Sequence, residues 1–217
     1  MVGFLSIVLF GVSLARADTI IFQNNDATLS TSDSSLDFES FVVIKAINTV
    51  TIDRMGVLGD FTGSNGGSLR FLIFAETGGV AGVKTPLFDS GLVAFNDDAD
   101  GLFWKDSPTF SFTLVAGTSY DIGAFSSVTM LQPQESTPKT QGGLTSAVNA
   151  GASQNRNFSV TNFTTTPTYT ARANGGNVDV NVRLFAADPT PLPSSAMAGL
   201  VLFAGMALRR RRRALAA

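Results

Sequence analysis

The feature that most constrains this chain is a period-two alternation that recurs in short runs separated by turn residues. It is cleanest near the C-terminal part of the body, where Val178, Val180, Val182 and Leu184 alternate with Asp179, Asn181 and Arg183. Successive side chains of a strand point to opposite faces, so this spacing predicts an apolar face turned inward and a polar face turned outward. Residues 109–116 repeat the pattern with Phe110, Phe112 and Leu114 inward. After a Gly117-Thr118 turn, Tyr120, Ile122 and Ala124 continue it, and the two runs read as a hairpin.

Further strand candidates lie at residues 19–23, 41–52 (one long strand, or two with a bend near Asn48), 54–61, 68–75, 87–95, 158–163 and 168–173. In the run 68–75, Leu69, Phe71 and Ile73 share one face while Arg70, Leu72 and Phe74 share the other, which predicts a strand covered on both sides. Residues 24–37 and 132–154 are poor in apolar residues and read as loops, the second long and mobile. No stretch of the body carries a credible helical period. Closely spaced strands without helices predict an all-β fold: a single antiparallel β-sandwich of jelly-roll type over residues 18–187.

Both ends read as export signals. Residues 1–17 form an apolar stretch closed by Ala15-Arg16-Ala17, the small-x-small pattern of a signal-peptide cleavage site before Asp18. At the other end, residues 188–217 join three pieces in a fixed order. Pro189-Thr190-Pro191-Leu192-Pro193 cannot be helical and holds the chain extended. Residues 194–208 are uncharged and as a helix would rise roughly 22 Å, a short span against a hydrocarbon core of ~30 Å. Arg209, Arg210, Arg211, Arg212 and Arg213 follow, and such a block stays on the cytoplasmic side, leaving the body outside. Ala196, Ala198, Gly199, Ala204, Gly205 and Ala207 would let another helix approach closely.

This tail resembles the PEP-CTERM family of C-terminal sorting signals, and within it the branch whose motif reads Val-Pro-Leu-Pro-Ala. Residues 190–194 supply the match, with Thr190 in place of the valine and Ser194 in place of the alanine. The resemblance covers residues 189–217 and implies recognition by an exosortase- or archaeosortase-like membrane transpeptidase. That enzyme would read Pro191-Leu192-Pro193 at the outer face of the inner membrane, cut there, and pass the exported domain to the cell surface or extracellular matrix.

Composition narrows the chemistry. Cysteine and histidine are both absent, which excludes disulfides, thiolate metal sites and catalysis through a Ser-His-Asp or Cys-His set. Residues 18–188 hold nine basic residues against 17 acidic ones, a net charge of −8. Such a domain repels phosphate backbones, so nucleic acid is not an expected partner. The chain reads as a substrate of processing and not as a catalyst, with structural or adhesive work in the envelope or among extracellular polysaccharide.

Two local motifs leave alternatives open. Asn96, Asp98 and Asp100 stand at alternate positions before Gly101, which is the start of a calcium-loop pattern; the twelfth position is Ser107, with Asp106 one place off. The same residues also make an ordinary acidic turn. Trp104 follows that turn and is either a stacking platform for a sugar ring or a core residue. These motifs keep a calcium-assisted carbohydrate-binding module as a second reading. A glycoside-active enzyme is a third, needing two carboxylates facing across a cleft, and Asp53, Asp60, Glu76, Asp89, Asp106 and Asp121 are scattered in the sequence.

Overall fold

A computed structural model of the chain describes residues 19–24, 32–34, 38–61, 66–78, 81–96, 101–132, 134–135, 138–146, 155–171 and 179–186. The signal-peptide reading at 1–17 and the sorting tail at 188–217 lie outside the described residues. Among the described residues there is no helix, and none therefore long and apolar enough to cross a membrane.

The strands in chain order are β1 (Thr19–Gln23), β2 (Ser32–Ser34), β3 (Phe38–Ala46), β4 (Val50–Gly59), β5 (Gly67–Ala75), β6 (Gly82–Lys84), β7 (Phe88–Asp89), β8 (Val93–Phe95), β9 (Phe103–Asp106) and β10 (Phe112–Leu114). After the turn at Gly117 come β11 (Ser119–Ser126), β12 (Met130–Gln132), β13 (Gln134–Glu135), β14 (Thr140–Gln141), β15 (Leu144–Thr145), β16 (Asn155–Thr161), β17 (Thr168–Ala171), β18 (Asp179–Val180) and β19 (Val182–Ala186). Every pairing between them is antiparallel.

The smaller of the two main sheets runs β1-β19-β4-β10, with β9 also on β4. β19 takes one edge of β4, while β10 and β9 share the other in succession. Between β10 and β9 that edge of β4 has no ladder partner at residues 53–55, which include the buried Asp53. The passing chain repairs the gap: Phe110 N donates to Asp53 O at 2.8 Å, and the buried Ser107 Oγ accepts from Met55 N at 3.1 Å.

The larger sheet runs β6-β17-β16-β3-β11-β5-β7 and cannot be flat. Its first and last strands are consecutive in sequence, and four residue steps from Lys84 to Phe88 span at most ~14 Å. Seven strands laid flat would place those edges about 29 Å apart at the usual spacing. The sheet therefore curls until β17 and β5 are bridged by the single segment 82–89, which pairs with β17 through β6 and with β5 through β7. Pro86 sits in the bridge, where a residue without an N–H costs no ladder bond.

The curl gives the sheet two apolar faces. Its convex face meets the smaller sheet in a shared core, with Phe71, Ile73, Ile44 and Ile122 against Ile52, Met55 and Leu184, all buried. Its concave face closes on a second core made largely of rings: Phe41, Phe74, Phe125, Phe158 and Tyr169. Phe41 is 5.7 Å from Phe74, 5.4 Å from Phe125 and 4.8 Å from Phe158 between centroids, and Phe74 likewise meets three rings, so these two tie the cluster together. Small closed sheets have just enough interior for side chains to fill. Gly123 makes room here, because a Cβ on it would lie 2.8 Å from the Phe41 ring.

The expected two-sided burial of residues 68–75 is thus observed, with Leu72 and Phe74 in the ring core. The inward sets Phe110, Phe112, Leu114 and Tyr120, Ile122, Ala124 all reach the shared core, as do Val182 and Leu184. The two runs are not the expected hairpin, however: β10 pairs with β4 in the smaller sheet and β11 with β3 and β5 in the larger. Val178 lies outside the described residues, and Asn181, expected outward, is buried. The run 41–52 is two strands with a turn at 47–49, and β4 absorbs the separate strand expected at 54–61. The loop expected at 132–154 is in part strand: β15 pairs with β3 and buries Leu144. The Gly142-Gly143 turn makes that possible, both residues having φ in the left-handed region.

A clasp holds the curl shut. Tyr169 Oη on β17 donates to Asp89 Oδ2 on β7 at 3.1 Å, and Arg70 Nε on β5 donates to Asp89 Oδ1 at 2.8 Å. Arg70 Nη1 reaches Phe163 O beyond β16 at 2.7 Å. Burial first, and the Asp89 carboxylate second, push the Tyr169 phenol well above its ordinary value of 10.0. A group whose folded value is raised contributes stability that is whole below its unfolded value and is lost as pH rises toward the folded one. Thermal stability should accordingly fall as pH rises past about 10, and Tyr169→Phe should flatten that alkaline limb while costing about 1 kcal/mol at neutral pH. Melting curves at stepped pH for both proteins check this.

Candidate functional site

The sequence motifs with chemical content converge on β9 and its approach. Asn96 is exposed, and its carbonyl accepts from Lys105 Nζ at 2.8 Å. The lysine stem crosses two rings, its ammonium lying 5.2 Å from the Phe95 centroid and 5.8 Å from that of Phe61. An ammonium thus already stands at the head of the acidic turn. Asp98 and Asp100 lie outside the described residues, and among the described residues no group of three or more His, Cys, Asp or Glu gathers to hold a metal. Ser107, at the twelfth position of the loop pattern, is engaged: its Oγ accepts from Met55 N of β4 and donates to Pro108 O. Asp106, one place off, is engaged with Arg183.

That pairing builds the most organised polar feature of the smaller sheet. Arg183 Nε donates to Asp106 Oδ1 at 2.8 Å and Nη2 donates to Oδ2 at 2.5 Å, a two-pronged arrangement. The two residues sit on β19 and β9, and both register with Gly56 of the intervening β4. The pair lies across that glycine: a Cβ there would stand 2.2 Å from Asp106 Oδ1 and 3.0 Å from Arg183 Nε. Only a residue without a side chain leaves the space.

Rings and cations continue the row on the same face. The Arg183 guanidinium is 4.8 Å from the Trp104 centroid and 5.2 Å from that of Phe185, and Arg54 covers Phe185 at 4.1 Å. Each such contact is worth about 0.5–1 kcal/mol where partly exposed, and more once desolvated. Trp104 is partly exposed with Arg183 over its ring, so it serves packing on the side that the guanidinium covers. Sequence reasoning singled out Trp104 but neither Arg183, Asp106 as its partner, nor Gly56. Arg183 falls on the polar beat of the cleanest strand, which was a usable signal; its partner is 77 residues away.

Gly56→Ala should force the carboxylate off its mark and uncouple the ion pair, costing about 1–3 kcal/mol, with Asp106→Ala costing much less in that background than alone. Chemical denaturation of the two single variants and the double checks it. Of the carboxylates weighed for glycoside chemistry, Asp89 and Asp106 are each bound by a guanidinium, and Asp53 and Asp121 are buried. The sorting residues Pro189, Pro191, Leu192 and Pro193 and the arginines 209–213 lie outside the described residues. Comparison with protein-family models gives no match, and neither the curated proteins nor the solved structures yield one.

Proposed function

We propose that this chain is an exported bacterial protein whose C-terminal tail is a PEP-CTERM-like sorting signal, and whose β-rich body does structural or adhesive work in the envelope or extracellular matrix. The observation that carries the reading is the order of the tail: a proline motif, a short uncharged run and five arginines. Each piece has a physical task. The prolines keep the cut site extended, the apolar run holds it at the outer face of the inner membrane, and the arginines stop export. The processing partner is an exosortase- or archaeosortase-like transpeptidase, so the chain is its substrate.

The body fits such work. It is all-β and antiparallel, its larger sheet curls on a ring-filled core, and without cysteine it is held by packing instead of disulfides. Its charge of −8 favours solubility outside the cell. In its own cells, replacing Pro191, Leu192 and Pro193 together by alanine should leave an uncut precursor in the inner membrane, with the mature form lost from the surface fraction. Surface material of unchanged amount and length would refute the assignment.

A second reading is favoured by one observation, the partly exposed Trp104 next to the acidic turn. It makes the body a carbohydrate-binding module, with calcium held at Asn96, Asp98 and Asp100. Glycan-array binding by the full chain, strengthened by calcium and reduced in Trp104→Ala, would support it; equal signals with and without calcium would remove the metal.

A further inference from the structure

Strand directions give the body two distinct ends. β19 finishes at Ala186 opposite Ile52, near the start of β4, and β1 begins at Thr19 opposite the same Ala186. The turn 47–49 joins β3 to β4 at this end, and the turn 115–118 joins β10 to β11 beside it, since Leu114 pairs with Val50. Backbone bonds tie the turns together: Gly117 N donates to Ala46 O at 2.7 Å, Ala46 N to Thr118 O at 3.0 Å and Ile47 N to Gly143 O at 2.8 Å. The chain therefore enters and leaves the described fold at the end where three turns are bonded into one surface.

That surface is unlike the rest of an acidic body. Ile47 and Val115 are half exposed, at 50% and 51%, and Ile20 follows at 38%. Residues 47–49, 115–118 and 140–143 contain no charged side chain. Among the described residues Lys45, Lys139 and Glu76 stand at the margin, two cations to one anion, in a region whose net charge over 18–188 is −8. The exposed Phe103 belongs to the opposite end, since it registers with Gly59 at the far end of β4.

We propose that this turn surface is the face the body lays against the lipid bilayer while its tail is uncut, with Ile47 and Val115 seated among the headgroups. The proposal rests on the sorting reading above. From Ala186 to the apolar run there are the seven residues 187–193, which extended fully reach ~25 Å, so the end that carries the exit cannot leave the membrane's neighbourhood. The tether brings this end to the lipid, and its turns 47–49, 115–118 and 140–143 carry the apolar tips Ile47 and Val115 and no anionic residue. Apolar side chains gain by leaving water for the interface, and anionic lipid would repel the acidic remainder.

The chain has no cysteine, so Ile47→Cys, Val115→Cys and Phe103→Cys each provide a single thiol at an exposed position for a polarity-sensitive dye. Each labelled full-length protein is placed in vesicles of phosphatidylethanolamine and phosphatidylglycerol carrying a headgroup-depth nitroxide quencher. Flotation and resistance to alkaline extraction report whether the tail inserts. The expected result is insertion, with the dyes at 47 and 115 blue-shifted and quenched several-fold more strongly than the dye at 103. Equal quenching at all three positions in inserted protein overturns the bilayer face and leaves the tail reading standing. Failure of the full chain to float with the vesicles overturns both. Hydrogen exchange of the unlabelled protein provides an independent test: protection of 47–49 and 115–118 in vesicles over detergent supports the face, and its absence in inserted protein contradicts it.

Discussion

Phe41→Ala is expected to destabilise the protein by about 3–5 kcal/mol, the range for removing a fully buried ring from a core that cannot collapse to fill the gap. The site is unusually resistant to collapse because the ring touches three others from three different strands, Phe74, Phe125 and Phe158. Those neighbours are held by the sheet itself, wrapped round on the segment 82–89, so the walls cannot move inward without breaking the ladder. Denaturant melts of the wild type and variant measure the loss. A cost below about 1 kcal/mol would mean that the concave face is loosely filled and the sheet is open instead of curled.

Gly123→Ala is the complementary test, adding one methyl where Phe41→Ala removes a ring. The added Cβ would meet the Phe41 ring at 2.8–3.2 Å, tighter than side chains tolerate, and the ring has no free direction to yield. Overpacking of this kind costs about 1–3 kcal/mol. In the Phe41→Ala background the methyl finds empty space, so the same change should cost close to nothing or be slightly favourable. The double variant should thus be more stable than the sum of the singles by about 1–3 kcal/mol. Simple additivity would show that residues 41 and 123 do not meet, and the curled sheet would lose its steric basis.

These two residues also mark the limit of what is legible in the sequence. Alternation of Leu69, Phe71, Ile73 with Leu72 and Phe74 announces a strand buried on both faces, and it is. What covers the second face is not written in that run. It depends on Gly123 lacking a side chain beneath Phe41, and on β6 and β7 pairing with strands from opposite ends of one sheet. A glycine in a strand and a proline near a turn look the same whether a sheet is flat or rolled. The run 87–95 reads as one strand in the sequence, but it is two, β7 and β8, which are two and three residues long and owe their existence to the edge of β5.

The site near β9 divides the same way. Trp104 and the acidic turn stand out locally, since they are rare residue types in a recognisable order. The Arg183–Asp106 pair does not, because nothing local ties two residues 77 apart, and its third participant, Gly56, acts by absence. Arg183 on the outward beat of a strand predicts a solvated charge. Folding instead laid it over a glycine between a carboxylate, an indole and a phenyl ring.

Export and loss of the tail stand or fall on the intact mass of the protein recovered from its own cells after separation into surface and cytosolic fractions. The expected chain starts at Asp18 and ends near the proline motif, without Arg209 to Arg213. A chain that still carries all five arginines and is recovered from the cytosol would contradict both.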